Sequence, residues 1–168
     1  VLGSNIEIIE KILSDNNEKF KVQIANDNSD GQIVLSGKID DLEKINVLLK
    51  NRSIKNIKLP VSAPFHCSLM SSATKIMKIE LNKLDFQNAG KMLISNVTSE
   101  PSSDIIELKE LLVKQIENRV RWRESIINMI KNGVNHFVEI GPGKVLSGLV
   151  KRINRDVKID SINNLEYI

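Results

Sequence analysis

Residues 20–37, FKVQIANDNSDGQIVLSG, decide how the first third of the chain is read. Val22 and Ile24 alternate as on a strand with one buried face. Asp30-Gly31 is a turn signal, and QIVLSG at residues 32–37 reads as a second strand. Working outward, each strand has a helix beside it. Upstream, VLG reads as the end of a strand. Ser4 and Glu7 then have the spacing of a capping box, and Ile6, Ile9 and Leu13 repeat at helical spacing. Downstream, Asp40 and Glu43 repeat the capping spacing, and Leu42, Ile45, Leu48 and Leu49 form a second apolar helix face. NIKLPV, residues 56–61, closes the unit as a strand with Ile57, Leu59 and Val61 alternating. The order β-α-β-β-α-β is the ferredoxin-like split pattern, which assigns residues 1–60 to a small subdomain.

Pro60 and Pro64 bracket the join to residues 61–168. A helix is expected over 68–84, with Leu69, Ala73, Ile76, Met77 and Leu84 on or near one face. MLISNV, residues 92–97, reads as a short buried strand. Asp104 caps a helix running to Asn118, with Glu107 three residues on. A further helix spans about Trp122 to Asn132 and stops at Gly133. HFVEI at 136–140 is a strand, Gly141-Pro142-Gly143 a loop, and a helix follows to about Ile153. VKIDSI at 157–162 reads as a last strand. Strands alternating with helices imply a parallel α/β sheet.

Composition narrows the function. The chain has 168 residues, 41% hydrophobic and 27% charged, which suits one domain or two small ones. Its net charge is +3, with basic and acidic residues interspersed. Aromatic residues make up only 4% and do not interleave with basic ones, so a nucleic-acid surface is not expected. No apolar run approaches the roughly 20 residues that span a membrane. The first residues, VLGSNIEIIE, lack the basic and apolar regions of a signal peptide. One cysteine excludes an internal disulfide and multi-cysteine zinc patterns, and is consistent with the cytoplasm. The first residue is valine, which suggests a processed product or a fragment.

VSAPFHCSLM, residues 61–70, holds one of the two histidines and the single cysteine. His66 is expected at a strand-to-helix transition, where functional groups gather in α/β folds. It reads either as a general base, worth about 10²–10⁴-fold, or as a structural histidine. Cys67 reads as a small buried hydrophobe, because neighbours in an extended segment face opposite ways. EIGPGKVLSGL, residues 139–149, is glycine-rich before a helix, but its spacing is not that of a nucleotide loop. It reads as a tight turn with close backbone packing. No G-x-S-x-G elbow is present. Asp40 and Asp41 read as caps, and His136 as a structural residue of its strand.

Four stretches carry a resemblance: IANDNSDGQIVLSG, VSAPFHCSLM, VRWRESI and FVEIGPGKVLSGLVKRI. In this order they resemble the C-terminal half of the malonyl-CoA:acyl carrier protein transacylase family. The resemblance implies a ferredoxin-like subdomain and, from residue 61, the C-terminal part of an α/β-hydrolase-like acyltransferase subdomain. It implies ping-pong transfer of malonyl from coenzyme A to acyl carrier protein in fatty acid biosynthesis. His66 then matches the histidine that activates the family's serine. Gln115 matches the residue whose backbone carbonyl orients that histidine. Phe65, before the histidine, matches a position that tracks acyl choice, with plain packing as the alternative. Asn26 and Asn28 match an N-x-N-S-x-G-Q motif near the subdomain cleft, and read equally as substrate contacts or as supports of the Asp30-Gly31 turn. Lys151 and Arg152 are candidates for docking the acidic carrier protein, or a solvated helix end.

No metal and no resident cofactor are implied; malonyl-CoA is substrate, and the carrier protein bears phosphopantetheine. The serine elbow, the carboxylate-binding arginine and part of the oxyanion hole fall in the family's other half. None of Arg119, Arg121, Arg123, Arg152 or Arg155 sits in a context that takes the arginine's role. An N-terminal half is therefore expected as a further partner, and the chain alone is expected to be inactive. One other reading stays open, an inactive remnant or carrier-protein-binding module; a basic nucleic-acid binder is disfavoured by the scarcity of aromatic residues.

Overall fold

The computed structural model describes residues 1–88 and 90–164. The first region holds α1 (Ile6–Ser14), β1 (Val22–Ser29), β2 (Gln32–Gly37) and α2 (Ile39–Asn51). β1 and β2 form an antiparallel hairpin in the register Val22↔Gly37 to Ser29↔Gln32, with two local irregularities. Gly31 turns the hairpin at φ +75°, and a Cβ there would sit 3.3 Å from Gly3 Cα. The left-handed backbone favours glycine, and the close approach of Gly3 leaves little room for a side chain. Leu2 bridges Gln32 on one side and Lys55 on the other, both antiparallel. The spatial order Lys55, Leu2, β2, β1 is that of the split pattern, but its first and fourth strands are single bridges.

Residues 56–61 correct the strand expected there. They form no ladder, and Ile57, Leu59 and Val61 are all exposed. Their alternation finds no buried face, and Pro60 has no N–H to donate. The caps also shift. Asn5, not Ser4, caps α1 by accepting from Ile8 N at 3.0 Å. α2 starts at Ile39 without a side-chain cap. Asp41 instead accepts from Lys21 N (3.1 Å) and Lys44 Nζ (3.1 Å). That backbone bond and the lysine hold its carboxyl below its ordinary range. Ile6, Ile9, Ile12, Phe20, Val22, Ile33, Ile45 and Leu49 form one buried cluster between α1, α2 and the hairpin. Each contributes about 1.5–3 kcal/mol by burial.

The second region begins with a 3₁₀ turn, Ser68–Met70, that leads into α3 (Ser71–Asn82). β3 (Leu93–Ile94) and β4 (Pro101–Ser102) follow as a short antiparallel pair, then α4 (Ile105–Lys114) and α5 (Trp122–Lys131). β5 (His136–Ile140), α6 (Val145–Ile153) and β6 (Lys158–Ile162) complete it. Asp104 caps α4 as expected, accepting from Ile106 N (2.8 Å) and Glu107 N (3.2 Å). β5 and β6 pair in parallel, His136↔Lys158 to Ile140↔Ile162. Among the described residues the strands make three two-stranded sheets, not one continuous parallel sheet. β3, expected as a buried strand, is open at Leu93, and Leu69, Ile76, Met77 and Leu84 around α3 are exposed.

α6 covers one face of the β5–β6 pair. Ser147 Oγ meets Ser161 Oγ at 2.8 Å, and Glu139 accepts from Leu146 N (3.1 Å) and Ser147 N (2.7 Å). On the opposite face Val138 and Ile140 are exposed. Parallel strands ordinarily have both faces covered.

Candidate functional site

The linker after residue 61 turns sharply at Pro64-Phe65-His66. His66 adopts φ +57°, a left-handed conformation that few non-glycine residues take. The strand-to-helix transition read from sequence is thus a turn-to-3₁₀ transition. Cys67 returns to extended backbone and is 1% exposed. Its thiol donates to Pro64 O at 3.1 Å and accepts from Ser36 Oγ at 3.6 Å. Ser68 N and Ser68 Oγ both donate to Gln23 Oε1 at 2.8 Å. Loop and hairpin are therefore joined at Cys67 and at Ser68.

The half-buried His66 ring lies with Nδ1 2.8 Å from the carbonyl oxygen of Gln115. A carbonyl oxygen only accepts, so Nδ1 carries the hydrogen, and in the neutral ring Nε2 presents a lone pair. Gln115 is the C-cap of α4, where the last carbonyls lack intrahelical donors. The helix end thus supplies an acceptor that is not already used. His66 and Gln115 are 49 positions apart in sequence, and the fold brings them together.

After Gln115 the chain is pinned to β1. Val120 N donates to Ala25 O (2.8 Å), and Asp27 N donates to Val120 O (2.9 Å). Asp27 is 1% exposed, and Arg123 Nε donates to both its carboxylate oxygens at 3.2 and 3.0 Å. Burial pushes the Asp27 carboxyl above its ordinary range, and Arg123 draws it back. Arg119 pairs with Glu10 (2.8 Å) and Glu124 (3.3 Å), and Arg121 with Glu124 (2.8 Å). All three arginines of RVRWR are engaged in ion pairs.

The other candidates are more dispersed. Asn26 and Asn28 lie on β1 and are half-buried, and Asn26 bridges Val120. Phe65 is exposed beside His66. No hydrogen bond among the described residues links these three side chains to the His66 ring. Lys151 and Arg152 are exposed near the end of α6, where Arg152 donates to Gln32 Oε1 at 2.6 Å. His136 pairs with Asp160 at 2.7 Å. Among the described residues no hydroxyl hydrogen-bonds to His66 Nε2.

The glycine-rich loop is not a phosphate cradle. The free N–H groups at the start of α6 already bind the Glu139 carboxylate. Gly141 and Gly143 are left-handed at φ +139° and +88°, yet a Cβ at either would meet open space. Backbone conformation, not close packing, requires them. Three residues escaped notice in the sequence: Gln23, Asp27 and Glu139. A carboxylate inside a strand pattern was the available signal for Asp27 and Glu139. Nothing local marks Gln23.

No protein-family model matches the chain. A malonyl CoA-acyl carrier protein transacylase of Bacillus subtilis is 40% identical over 170 residues, covering all of this chain and 54% of the relative. The crystal structure of an acyl-carrier-protein-S-malonyltransferase from Bartonella henselae matches with TM-score 0.93 and 41% identity, over 99% of this chain and 53% of that one. A malonyl-transacylase solved in complex with its type II PKS acyl-carrier protein matches with TM-score 0.91 and 30% identity, over 99% and 54%. The chain spans about half the length of the curated relatives it matches. Over its whole length it is homologous to the C-terminal half of malonyl CoA-acyl carrier protein transacylases.

Proposed function

We propose that this chain is the histidine-bearing half of a malonyl-CoA:acyl carrier protein S-malonyltransferase, with His66 as general base. The observation that carries the reading is the 2.8 Å contact between His66 Nδ1 and the Gln115 carbonyl. It leaves Nε2 free to take a proton, in the manner of a histidine held by a third group. A serine from the half that the chain does not span attacks the malonyl thioester and gives its proton to Nε2. The C–S bond breaks, the coenzyme A thiolate takes that proton, and a malonyl-serine ester remains. The phosphopantetheine thiol of acyl carrier protein then gives its proton to Nε2 and attacks the ester. Serine leaves and recovers the proton from His66.

Phe65 borders the acyl pocket in this reading, and Asn26 and Asn28 line the cleft toward substrate. Lys151 and Arg152 steer the acidic carrier protein, raising the rate of encounter more than the affinity. The exposed apolar face of β5 accepts the N-terminal half. The setting is the cytoplasm. The chain alone is inactive, because it carries no serine elbow.

Radiolabelled malonyl transfer to acyl carrier protein tests this. The chain is assayed alone and with the N-terminal part of the Bacillus subtilis relative that it does not span. Transfer is expected only in the mixture, with His66→Ala lowering it by about 10²–10⁴-fold and Gln115→Ala changing it less than about twofold, since the backbone carbonyl survives. A folded, stable complex without transfer would leave a carrier-binding module as the reading.

A further inference from the structure

His66 holds a backbone conformation that costs about 1–3 kcal/mol unless its surroundings enforce it. Upstream, the enforcing contact is local: Phe65 N donates to Ala63 O at 3.0 Å. Downstream, it comes from another element. Gln23 Oε1 accepts from both the N–H and the hydroxyl of Ser68, each at 2.8 Å. Two bonds to one oxygen fix both the position and the rotation of Ser68, two residues beyond the histidine.

The carbonyl side is anchored to the same strand. Ala25 and Asp27 of β1 hold Val120, in the segment that leaves Gln115. Gln23 and Ala25 are separated by two residues, about 6.6 Å along a strand. One strand thus contacts both segments that hold the His66–Gln115 pair. We propose that Gln23 is a positioning residue for the His66 imidazole, holding Nδ1 on the Gln115 carbonyl. The catalytic meaning of this rests on the reading of His66 as base; the geometric content stands on the ring's tautomer alone.

Gln23 is exposed, so its removal leaves the core intact. Gln23→Ala deletes the acceptor, whereas Gln23→Glu keeps an oxygen for both bonds. The chain has only two histidines, so ¹⁵N-histidine labelling gives a spectrum that His136→Asn assigns at once. In the parent chain His66 Nδ1 is expected to resonate as a protonated nitrogen and Nε2 as an unprotonated one. In Gln23→Ala the two shifts move toward each other as the tautomers mix, while His136 does not change. Gln23→Glu restores the parent values.

In the reconstituted mixture Gln23→Ala is expected to lower kcat about tenfold at unchanged KM, the mark of a lost transition-state contact. Unmoved His66 shifts in Gln23→Ala would overturn the proposal, as would a loss of helical circular dichroism shared by Gln23→Glu. If the tautomer responds but the parent mixture transfers no malonyl, the proposed function fails and the positioning role stands. If the mixture is active and the tautomer does not respond, the positioning role fails alone.

Discussion

Ile9 and Ile140 are both isoleucines in regular elements, yet Ile9 is 0% exposed and Ile140 is 73% exposed. Ile9 belongs to residues 1–54, where α1 and α2 close over the hairpin and bury one continuous cluster. Ile140 belongs to residues 57–162, where Ile57, Leu59, Val61, Ile76, Met92 and Val138 are exposed as well. The two regions have similar apolar patterning and different burial. Patterning specifies which face an element must cover. Whether the face is covered depends on a partner element. The hairpin region has its partners; among the described residues β5 has α6 on one face only.

The largest effects should separate the two regions directly. Ile9→Ala is expected to destabilise the chain by about 2–5 kcal/mol, as for other fully buried isoleucines. Ile140→Ala is expected to stay within about 0.5 kcal/mol in the chain alone, as for a surface site. Urea denaturation measures both. Equal losses would mean that β5 is covered in solution by something else. Adding the N-terminal part of the Bacillus subtilis relative should make Ile140→Ala costly without altering Ile9→Ala.

Asp27 joins the regions, and its loss sharpens the contrast. Asp27→Ala leaves Arg123 facing a buried gap with only Asp30 at 3.5 Å. The expected cost is about 3 kcal/mol, the lower end for breaking a buried pair. If the regions unfold separately, the loss should appear as a second transition in denaturation followed by Trp122 fluorescence. No loss at all would mean that the Val120 backbone bonds suffice to hold the junction.

The smallest effect lies wholly in the second region. Hydrogen bonds from Ser147 and from Leu146 N hold the Glu139 carboxyl below its ordinary value of 4.5. A depressed folded pKa contributes stability above the unfolded value and loses it as pH falls through the folded one. The stability gap between the parent chain and Glu139→Gln should therefore be full above pH 4.5 and close below it. Thermal melts followed by circular dichroism across that window measure it. A gap that does not depend on pH would remove the carboxylate from its role as the cap of α6.

How much was legible follows the same division. The hairpin, both flanking helices and their order were readable because alternation, turn residues and helix spacing are local signals. So were α4, with its Asp104 cap, and the β5–α6–β6 unit. Residues 56–61 misled because alternation alone does not supply a ladder partner. The open face of β3 was misread for the same reason. His66 and Gln115 could be paired through resemblance, but not through spacing, since a contact over 49 positions leaves no local trace. The left-handed turn at His66 and the Gln23 anchor depend on tertiary contacts and have no local signal.

Hydrogen–deuterium exchange, read by mass spectrometry, tests the central claim that residues 1–54 are a finished region, whereas the open faces around β5 and His66 are covered by a second half. The chain is measured alone and with the N-terminal part of the Bacillus subtilis relative. The account predicts that residues 6–51 are strongly protected in both states. It predicts that protection rises on mixing in residues 136–162 and around His66. Unchanged protection in those segments, in a mixture shown to form a complex, would contradict it.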